Sequence, residues 1–464
     1  MSTDAQVLTT PHLDLTVLSH GLILSSLLAR PDDNNDTSSA SDLLAGFANP
    51  DHHHHSHART FFNCVVGRYA NRLPSGELKT QSGASLHLPG AEGVCLHGGE
   101  AGFDTLPWTP LARTDSALFP AEDEDHAEPP PASDPAAPVS EASALHRIYS
   151  PAGADGFPCS LVVEVLTVVV TPKETGTEAE GKKGKSLGKV KVVMRAKINE
   201  DGDEGIDKGT PVNLTMHWGF RLDDNKDKDV LNHRLYLASD KLVALDDLGL
   251  STGAIDRIQP GSEFDFSSQG LEGEHRTIGE KYPEGGIDRN FLFTIPPPSL
   301  SQPSSSARLS TTPQAILTSP SPSPSPSGRT FSLRFSSNQP SVQVYTASGL
   351  DGTGPARKAL HGGPSGEEGR KGEEVPDPED QQRNEGYEKD SVVFLEFQAP
   401  VGAFLHAKKG EDGKGEKSEL GQWMDERAKV RKSDEEGRGW ERDTVLRKGQ
   451  AYENWVEMEV VLLE

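Results

Sequence analysis

An all-β chain of antiparallel strands is what this sequence predicts, on three observations. Leu161 to Thr171 reads LVVEVLTVVVT, a β-branched run of strand length. Lys189 to Ile198 alternates, with Val190, Val192, Met194, Ala196 and Ile198 on one face and Lys191, Arg195 and Lys197 on the other, so it reads as a half-buried strand. Between Asn63 and Trp108 the turn signals Pro74-Ser75-Gly76 and Gln81-Ser82-Gly83 separate short runs with apolar residues at alternate positions, such as Leu86 and Leu88. That is the pattern of hairpins, in which glycine takes the backbone angles a tight turn demands.

Composition limits what this scaffold does. Of 464 residues only 34% are hydrophobic, while Gly (46) and Pro (34) are abundant, so one sizeable core with much loop is expected. The net charge of −25, from 46 basic and 71 acidic residues, opposes binding to nucleic acid or to an anionic membrane surface. Three cysteines (Cys64, Cys95, Cys159) make no disulfide framework and fit a reducing compartment. Met1-Ser2-Thr3-Asp4-Ala5 lacks the basic start and apolar run of a signal peptide, and no stretch approaches 18 apolar residues. A cytoplasmic protein is expected.

In chain order, Leu13 to Leu28 predicts a pair of short strands, and Asp32 to Ala40 a loop. Asp51 to His57 holds four adjacent histidines. Metal ligands need separated, oriented rings with supporting partners, so this run reads as a solvated loop. Ala117 to Ser143, rich in Pro, Ala, Glu and Asp, reads as a disordered insertion. Lys173 to Ser186 reads as the overgrown polar turn of a hairpin between the two long strands. Three more insertions are expected outside the core: Ser299 to Gly328 with its Ser-Pro repeats, the Gly- and Glu-rich Asp351 to Asp390, and the mixed-charge Lys408 to Asp443. The last is expected to be helical about Leu420 to Lys432. Strands resume at Phe331 to Phe335, Val342 to Thr346 and Ser391 to Gln398. A closing strand places Val456, Met458, Val460 and Leu462 on one face, with Glu457 and Glu459 on the other.

Several polar groups sit where a core would not want them. Arg68, Asn71, Arg72, His97 and Asp104 lie among glycines on the hairpin scaffold, a setting that suits a polyhydroxylated ligand, because each hydroxyl both donates and accepts. His217 lies in the apolar, aromatic stretch Met216 to Phe220. Taken alone, a histidine there is more often a satisfied core residue than a catalyst. Glu396 interrupts a strand that wants burial, and such a carboxylate costs several kcal/mol, about 2–7 by transfer data for polar groups, unless paired or protonated.

Gly67-Arg68-Tyr69-Ala70-Asn71-Arg72, followed by Leu96-His97-Gly98-Gly99 and Gly102-Phe103-Asp104, resembles the aldose 1-epimerase (galactose mutarotase) family. The resemblance continues through Pro211 to Leu222, Gly261 to Phe266, Gly286 to Phe291, Gln339 to Thr346, Ser391 to Pro400 and the closing strand. It implies a single domain over 7–464, a large antiparallel β-sandwich interrupted at about 117–143, 299–328, 351–390 and 408–443. It also implies an isomerase that interconverts the α and β anomers of free aldohexoses such as glucose and galactose. By resemblance His217 is the general acid and Glu396 the general base, while Asn71, Arg72, His97, Asp288 and Gln343 hold the sugar. Neither metal nor cofactor is implied, since the chemistry is proton transfer between side chains whose types suit neutral pH. Met216, Trp218, Gly219 and Arg221 depart from the pattern around the acid, and Arg289 stands where a histidine is usual. Those departures bear on specificity. They leave open a hexose 6-phosphate 1-epimerase, with Arg289 or Arg221 on the phosphate, and a non-catalytic sugar-binding protein. A glycoside hydrolase using Asp288 and Glu396 as its carboxyl pair would leave His97 and His217 without a task.

Overall fold

Alternation along the long strands decides the layering of this molecule. In the computed structural model, which describes residues 5–30, 40–55, 59–119, 141–171, 176–179, 182–199, 206–223, 229–271, 273–294, 312–320, 328–363, 385–407, 416–430 and 443–463, Val190, Val192 and Met194 are fully buried. They pair across Lys182–Ile198 with Met458, Val456 and Asn454 of the closing strand Tyr452–Leu463. On the other side Leu161–Val170 pairs in antiparallel register, Val165 opposite Met194. The sheet continues outward through Glu141–Ser150 to Thr109–Leu111, and beyond the closing strand through Thr330–Ser337 and Ala315–Thr318 to Arg234–Leu237.

A second, six-stranded sheet runs Trp218–Phe220, Val393–Gln398, Ser341–Tyr345, Asp288–Phe293, Ser239–Leu245 and Ser251–Arg257, again antiparallel. The two sheets meet through large side chains: Phe335 of the first lies 5.4 Å, ring to ring, from both Phe220 and Phe397 of the second. A four-stranded N-terminal sheet (Ala5–Thr9, Leu13–Leu18, Ile23–Ala29, Ser41–Asp42) adds Leu13, Leu15, Leu24 and Leu27 to the same core. Each such aliphatic or aromatic side chain contributes about 1.5–3 kcal/mol by leaving water. The sandwich is thus held on the inner face of the six-stranded sheet. Its outer face carries the polar residues.

Five expectations change. At the two ends of the insertion expected over 117–143, Leu118 and Phe119 are buried with Leu145 and Trp455, and Glu141–Ser143 pairs as strand with Val168–Val170. Ala315–Thr318, within the segment 299–328 expected to lie outside the core, is a fully buried strand of the larger sheet. The polar turn Lys173 to Ser186 continues its strand: Gly176–Ala179 pairs with Lys182–Lys185. Pro74-Ser75-Gly76 joins strands of two different ribbons, because Arg72–Pro74 pairs with Val94–Leu96, while Gly76–Lys79 pairs with Ser85–Leu88. Instead of a solvated loop, His52–His55 forms one helical turn, and His53 packs on Phe47 with ring centroids 4.7 Å apart; 56–58 lie outside the described residues.

The other insertions are anchored at their ends. Lys358 reaches Asp42 at 2.7 Å, and Nδ1 of His361 meets the buried Tyr387 hydroxyl at 2.7 Å, so both flanks of 364–384 dock on the N-terminal sheet. In the last insertion a helix, Glu419–Val430, packs Leu420 and Met424 on Val243 and Leu292. The stretches 120–140, 295–311, 321–327, 364–384, 408–415 and 431–442 lie outside the described residues. Among the described residues no helix is long and apolar enough to cross a membrane.

Candidate active site

Strand register places the chemistry. Phe291, Phe293, Val342, Val344, Leu395 and Phe397 point into the core, so the residues that alternate with them point outward. Gln343 pairs directly with Glu396 on one side and Asn290 on the other. Trp218 pairs with Leu395, so the next step of that register sets His217 opposite Glu396. One row across four strands therefore reads His217, Glu396, Gln343, Asn290. All four are buried. Nε2 of His217 lies 3.2 Å from Oε1 of Glu396.

The other groups arrive from the nested hairpin above the sheet. Arg72 pairs with Leu96, so Asn71 and His97 face each other one step on. The His97 N–H donates to the Asn71 carbonyl at 3.0 Å, and the Asn71 N–H donates to Nδ1 of His97 at 3.2 Å. Both residues have positive φ (68° and 49°), as does Gly98 (88°). A Cβ on Gly98 would lie 2.2 Å from the Gly67 carbonyl oxygen, so only glycine allows this approach of the two loops. The Asn71 side-chain oxygen accepts the Arg72 N–H at 2.9 Å. The Arg72 guanidinium then reaches Asp288 at 3.2 Å, and Gln343 Nε2 donates to the same carboxylate at 2.6 Å.

A closed ring results. Arg72 contacts Asp288, Asp288 contacts Gln343, and Gln343 pairs with Glu396. Glu396 meets His217, whose ring stands 5.2 Å and edge-on from that of His97. His97 returns through Asn71 to Arg72. The structure brings all seven sequence-derived site residues into this ring, although they come from six segments of the chain.

The electrostatics assign roles. Burial holds His97 well below its usual pKa, with His217, Arg72 and Arg59 adding to the effect. It is a neutral ring, and because Nδ1 accepts the Asn71 N–H, Nε2 carries the proton and is a donor. The donor atoms of His97, His217 and Glu396 lie within 4.8 Å of one another, a spacing a metal ion would accept. His97 offers it no lone pair: one nitrogen is taken by Asn71 and the other is protonated. The set is better matched to a hydroxylated ligand, with a fixed donor in His97, a carboxylate in Glu396, and the imidazole of His217 beside it. Nδ1 of His217, Oε2 of Glu396 and Oε1 of Gln343 have no hydrogen-bond partner among the described residues.

Two residues grouped with the ligand cluster on sequence are structural. The Arg68 guanidinium is buried against Ser150, Pro151, Pro158 and Cys159, donating to four backbone carbonyls and the Ser150 hydroxyl. Asp104 is clamped by both Nε and Nη2 of Arg59, whose own pKa is raised: burial opposes its charge, and the Asp104 carboxylate more than offsets that. Sequence reasoning missed the aromatic walls. Phe61 stands 4.6 Å from the His97 ring and 5.9 Å from His217, with Arg59 over it at 4.7 Å. Phe394 stands 4.7 Å from His217. Its signal was available, since Phe394 is two residues before Glu396 on the same face.

The family model described as aldose 1-epimerase matches residues 177–383, the stretch that carries His217, Asp288 and Gln343. Galactose mutarotase of Rattus norvegicus is 27% identical over 342 residues, 74% of this chain and 76% of that protein. The chain is thus similar to the aldose 1-epimerase family over most of its length. Aldose 1-epimerase of Escherichia coli K12 is 26% identical over 257 residues, 55% of this chain and 59% of its relative. Among solved structures, an aldose epimerase homologue from C. elegans covers 100% of both chains at a TM-score of 0.60 and 16% identity. A galactose 1-epimerase from Lactobacillus acidophilus covers 98% of this chain and 93% of its own, at 0.58 and 15%. At that identity the likeness is one of fold, and it is the antiparallel sandwich described above. These relatives indicate that the protein is an isomerase.

Proposed function

We propose that this protein interconverts the α and β anomers of free aldohexoses, glucose and galactose among them, by acid–base opening and reclosure of the ring. The single observation that carries the reading is the closed ring of seven residues, with an acid and a base 3.2 Å apart in it. Glu396 takes the proton of the anomeric hydroxyl while His217 delivers one to the ring oxygen. The bond between the anomeric carbon and the ring oxygen breaks, and an aldehyde forms. Rotation about the first carbon–carbon bond presents the other face of the carbonyl. Reclosure reverses both transfers, so neither protons nor electrons are consumed. The Nε2–H of His97 is placed to donate to an oxygen as charge develops there. Arg72 and Gln343 fix Asp288 as an acceptor for sugar hydroxyls.

The free-sugar reading is favoured over a hexose 6-phosphate by where two arginines lie. Arg221 is buried, donating to the Ser391 carbonyl and lying 3.5 Å from Asp223. Arg289 occupies the opposite face of its strand from Asp288 and lies over Phe264. The test is anomer exchange, followed by polarimetry or NMR, of glucose, galactose and glucose 6-phosphate. Acceleration of the free sugars over buffer is expected. Binding without acceleration would transfer the assignment to a non-catalytic sugar-binding protein.

A further inference from the structure

The row that supplies Glu396 and Gln343 does not end with them. Asn290, opposite Gln343 on the next strand, is fully buried. Neither its side-chain nitrogen nor its oxygen has a hydrogen-bond partner among the described residues. Gln398, two residues after Glu396 and so on the same face, is also fully buried, with both side-chain atoms unpartnered. On the strand between them Gln343 stands opposite Asn290 and Ser341 opposite Gln398, Ser341 being a small side chain whose hydroxyl is bonded to the Gln398 carbonyl at 2.7 Å. Directly opposed residues in a sheet hold their Cβ atoms about 4.5–5.5 Å apart. The two amides therefore lie diagonally across the strand of Ser341 and Gln343, Asn290 opposite Gln343 with its unpartnered Oε1, and Gln398 two residues along from Glu396 with its unpartnered Oε2.

Unpartnered buried amides are costly, and these two lie in and beside the row that carries Glu396. Two buried amides outside the sheet are satisfied by contrast: Asn63 bonds the Ala45 carbonyl and the Gly219 N–H, and Asn213 bonds Ala399 through both its atoms. A group that both donates and accepts would satisfy an amide pair. A carboxylate or phosphate would not, because it has only acceptors to offer beside the Glu396 carboxylate.

We propose that Asn290 and Gln398 are further sugar-binding residues, which take a hydroxyl of the substrate next to Glu396 and help determine which aldose is accepted. This rests on the mutarotase reading above. The test replaces each amide by an apolar side chain of similar size, Asn290→Leu and Gln398→Met, in the full chain. If the amides were only buried polar groups, these changes would leave KM unmoved and hold or raise Tm. Sugar binding by the amides predicts instead that KM for glucose or galactose rises about tenfold or more, the loss of about one good hydrogen bond, with Tm held or raised. A panel of monodeoxy sugars adds a readout that no folding defect imitates. On the wild-type protein one deoxy position should raise KM, and that same deoxy sugar should be insensitive to Asn290→Leu or Gln398→Met. Unchanged KM in both folded variants, or an equal loss for every deoxy sugar, overturns the proposal. Should a variant fail to fold, the wild-type panel decides: no deoxy position that raises KM overturns it. A wild-type protein that does not accelerate anomer exchange at all would instead refute the mutarotase reading.

Discussion

Glu396→Gln is the sharpest probe of the mechanism, because the structure makes it nearly silent except for the proton. Glu396 Oε1 faces Nε2 of His217 at 3.2 Å, and a glutamine oxygen in the same place would accept from the same N–H. Oε2 has no partner among the described residues, so the new amide nitrogen breaks no bond. The fold should therefore survive with its core intact. What is lost is the base. General acid–base catalysis typically contributes ~10²–10⁴-fold, which corresponds to about 3–5 kcal/mol of barrier. Turnover of freshly dissolved α-glucose and α-galactose, followed by polarimetry, should fall by at least about a hundredfold. KM should change far less, since Asn71, Arg72, His97, Asp288 and Gln343 are untouched. His217→Asn should behave alike, and the double variant should lose little more than either alone, because the two act as a unit. A Glu396→Gln protein whose turnover stays within about threefold of wild type would refute the assignment of the base.

Further outcomes follow from the same geometry. His97→Phe keeps the ring and its contact with Phe61 but deletes the Nε2–H donor. It should lower kcat/KM by ~10–100-fold, and because burial already keeps His97 neutral, it should remove no limb of the pH–rate profile. Arg68→Lys should reduce stability by several kcal/mol, at about 1.5–3 for each charged hydrogen bond lost, while leaving KM near wild type, since Arg68 serves carbonyls and not the sugar; a urea midpoint with parallel kinetics checks both. Acid should weaken the fold through His233, whose Nε2 accepts the Leu222 N–H at 3.1 Å and whose pKa burial pushes down to about 3. The unfolded histidine binds its proton near pH ~6.5, so between ~6.5 and about 3 the unfolded state holds more protons and stability falls as pH falls. His233→Gln should lessen that acid sensitivity in urea unfolding at pH 7.5 against pH 5; an unchanged slope would rule the residue out.

Much of this arrangement was legible in the residues, and the limits have physical causes. The face of Lys189 to Ile198 and that of the closing strand could be read directly, because a period of two needs only about ten residues to declare itself. Ala315–Thr318 could not: four residues show no period, and the Ser and Pro flanking them dominate any wider window. The histidine run misled because its neighbour Phe47, which gives His53 a surface to pack on, lies outside the run itself. Arg68 and Asp104 share the composition of the ligand cluster, and composition carries no direction. Only the backbone of 150–159 and the side chain of Arg59 show that these two turn away from the sugar. Asn290 and Gln398 were visible as residues two places from Asp288 and Glu396. Their significance appears only once burial and missing partners are known.

The departures from the family pattern around His217 gain a physical sense from the same alternation. Met216 and Trp218 flank His217 in sequence, yet both point into the core, and Trp218 stacks on Phe220 at 5.8 Å. Changes there alter packing under the acid and do not touch substrate. Gly219, between the core residues Trp218 and Phe220, belongs to the outer face. A Cβ on it would lie 2.7 Å from the Phe394 ring, so the missing side chain is what lets Phe394 lie against His217. Phe394 in turn joins Phe62, Tyr387 and Val392 in a cluster that anchors the flank of 364–384. Aromatic surface at the end of the row keeps water from the His217–Glu396 pair, where their interaction is stronger than it would be in solvent. The same wall continues through Tyr345, stacked on Phe394 at 5.7 Å, along the row that carries Asp288. The departures thus leave the acid, the base and the hydroxyl acceptors in place. They change the shape of the wall a sugar must fit, and specificity is where their effect should be found.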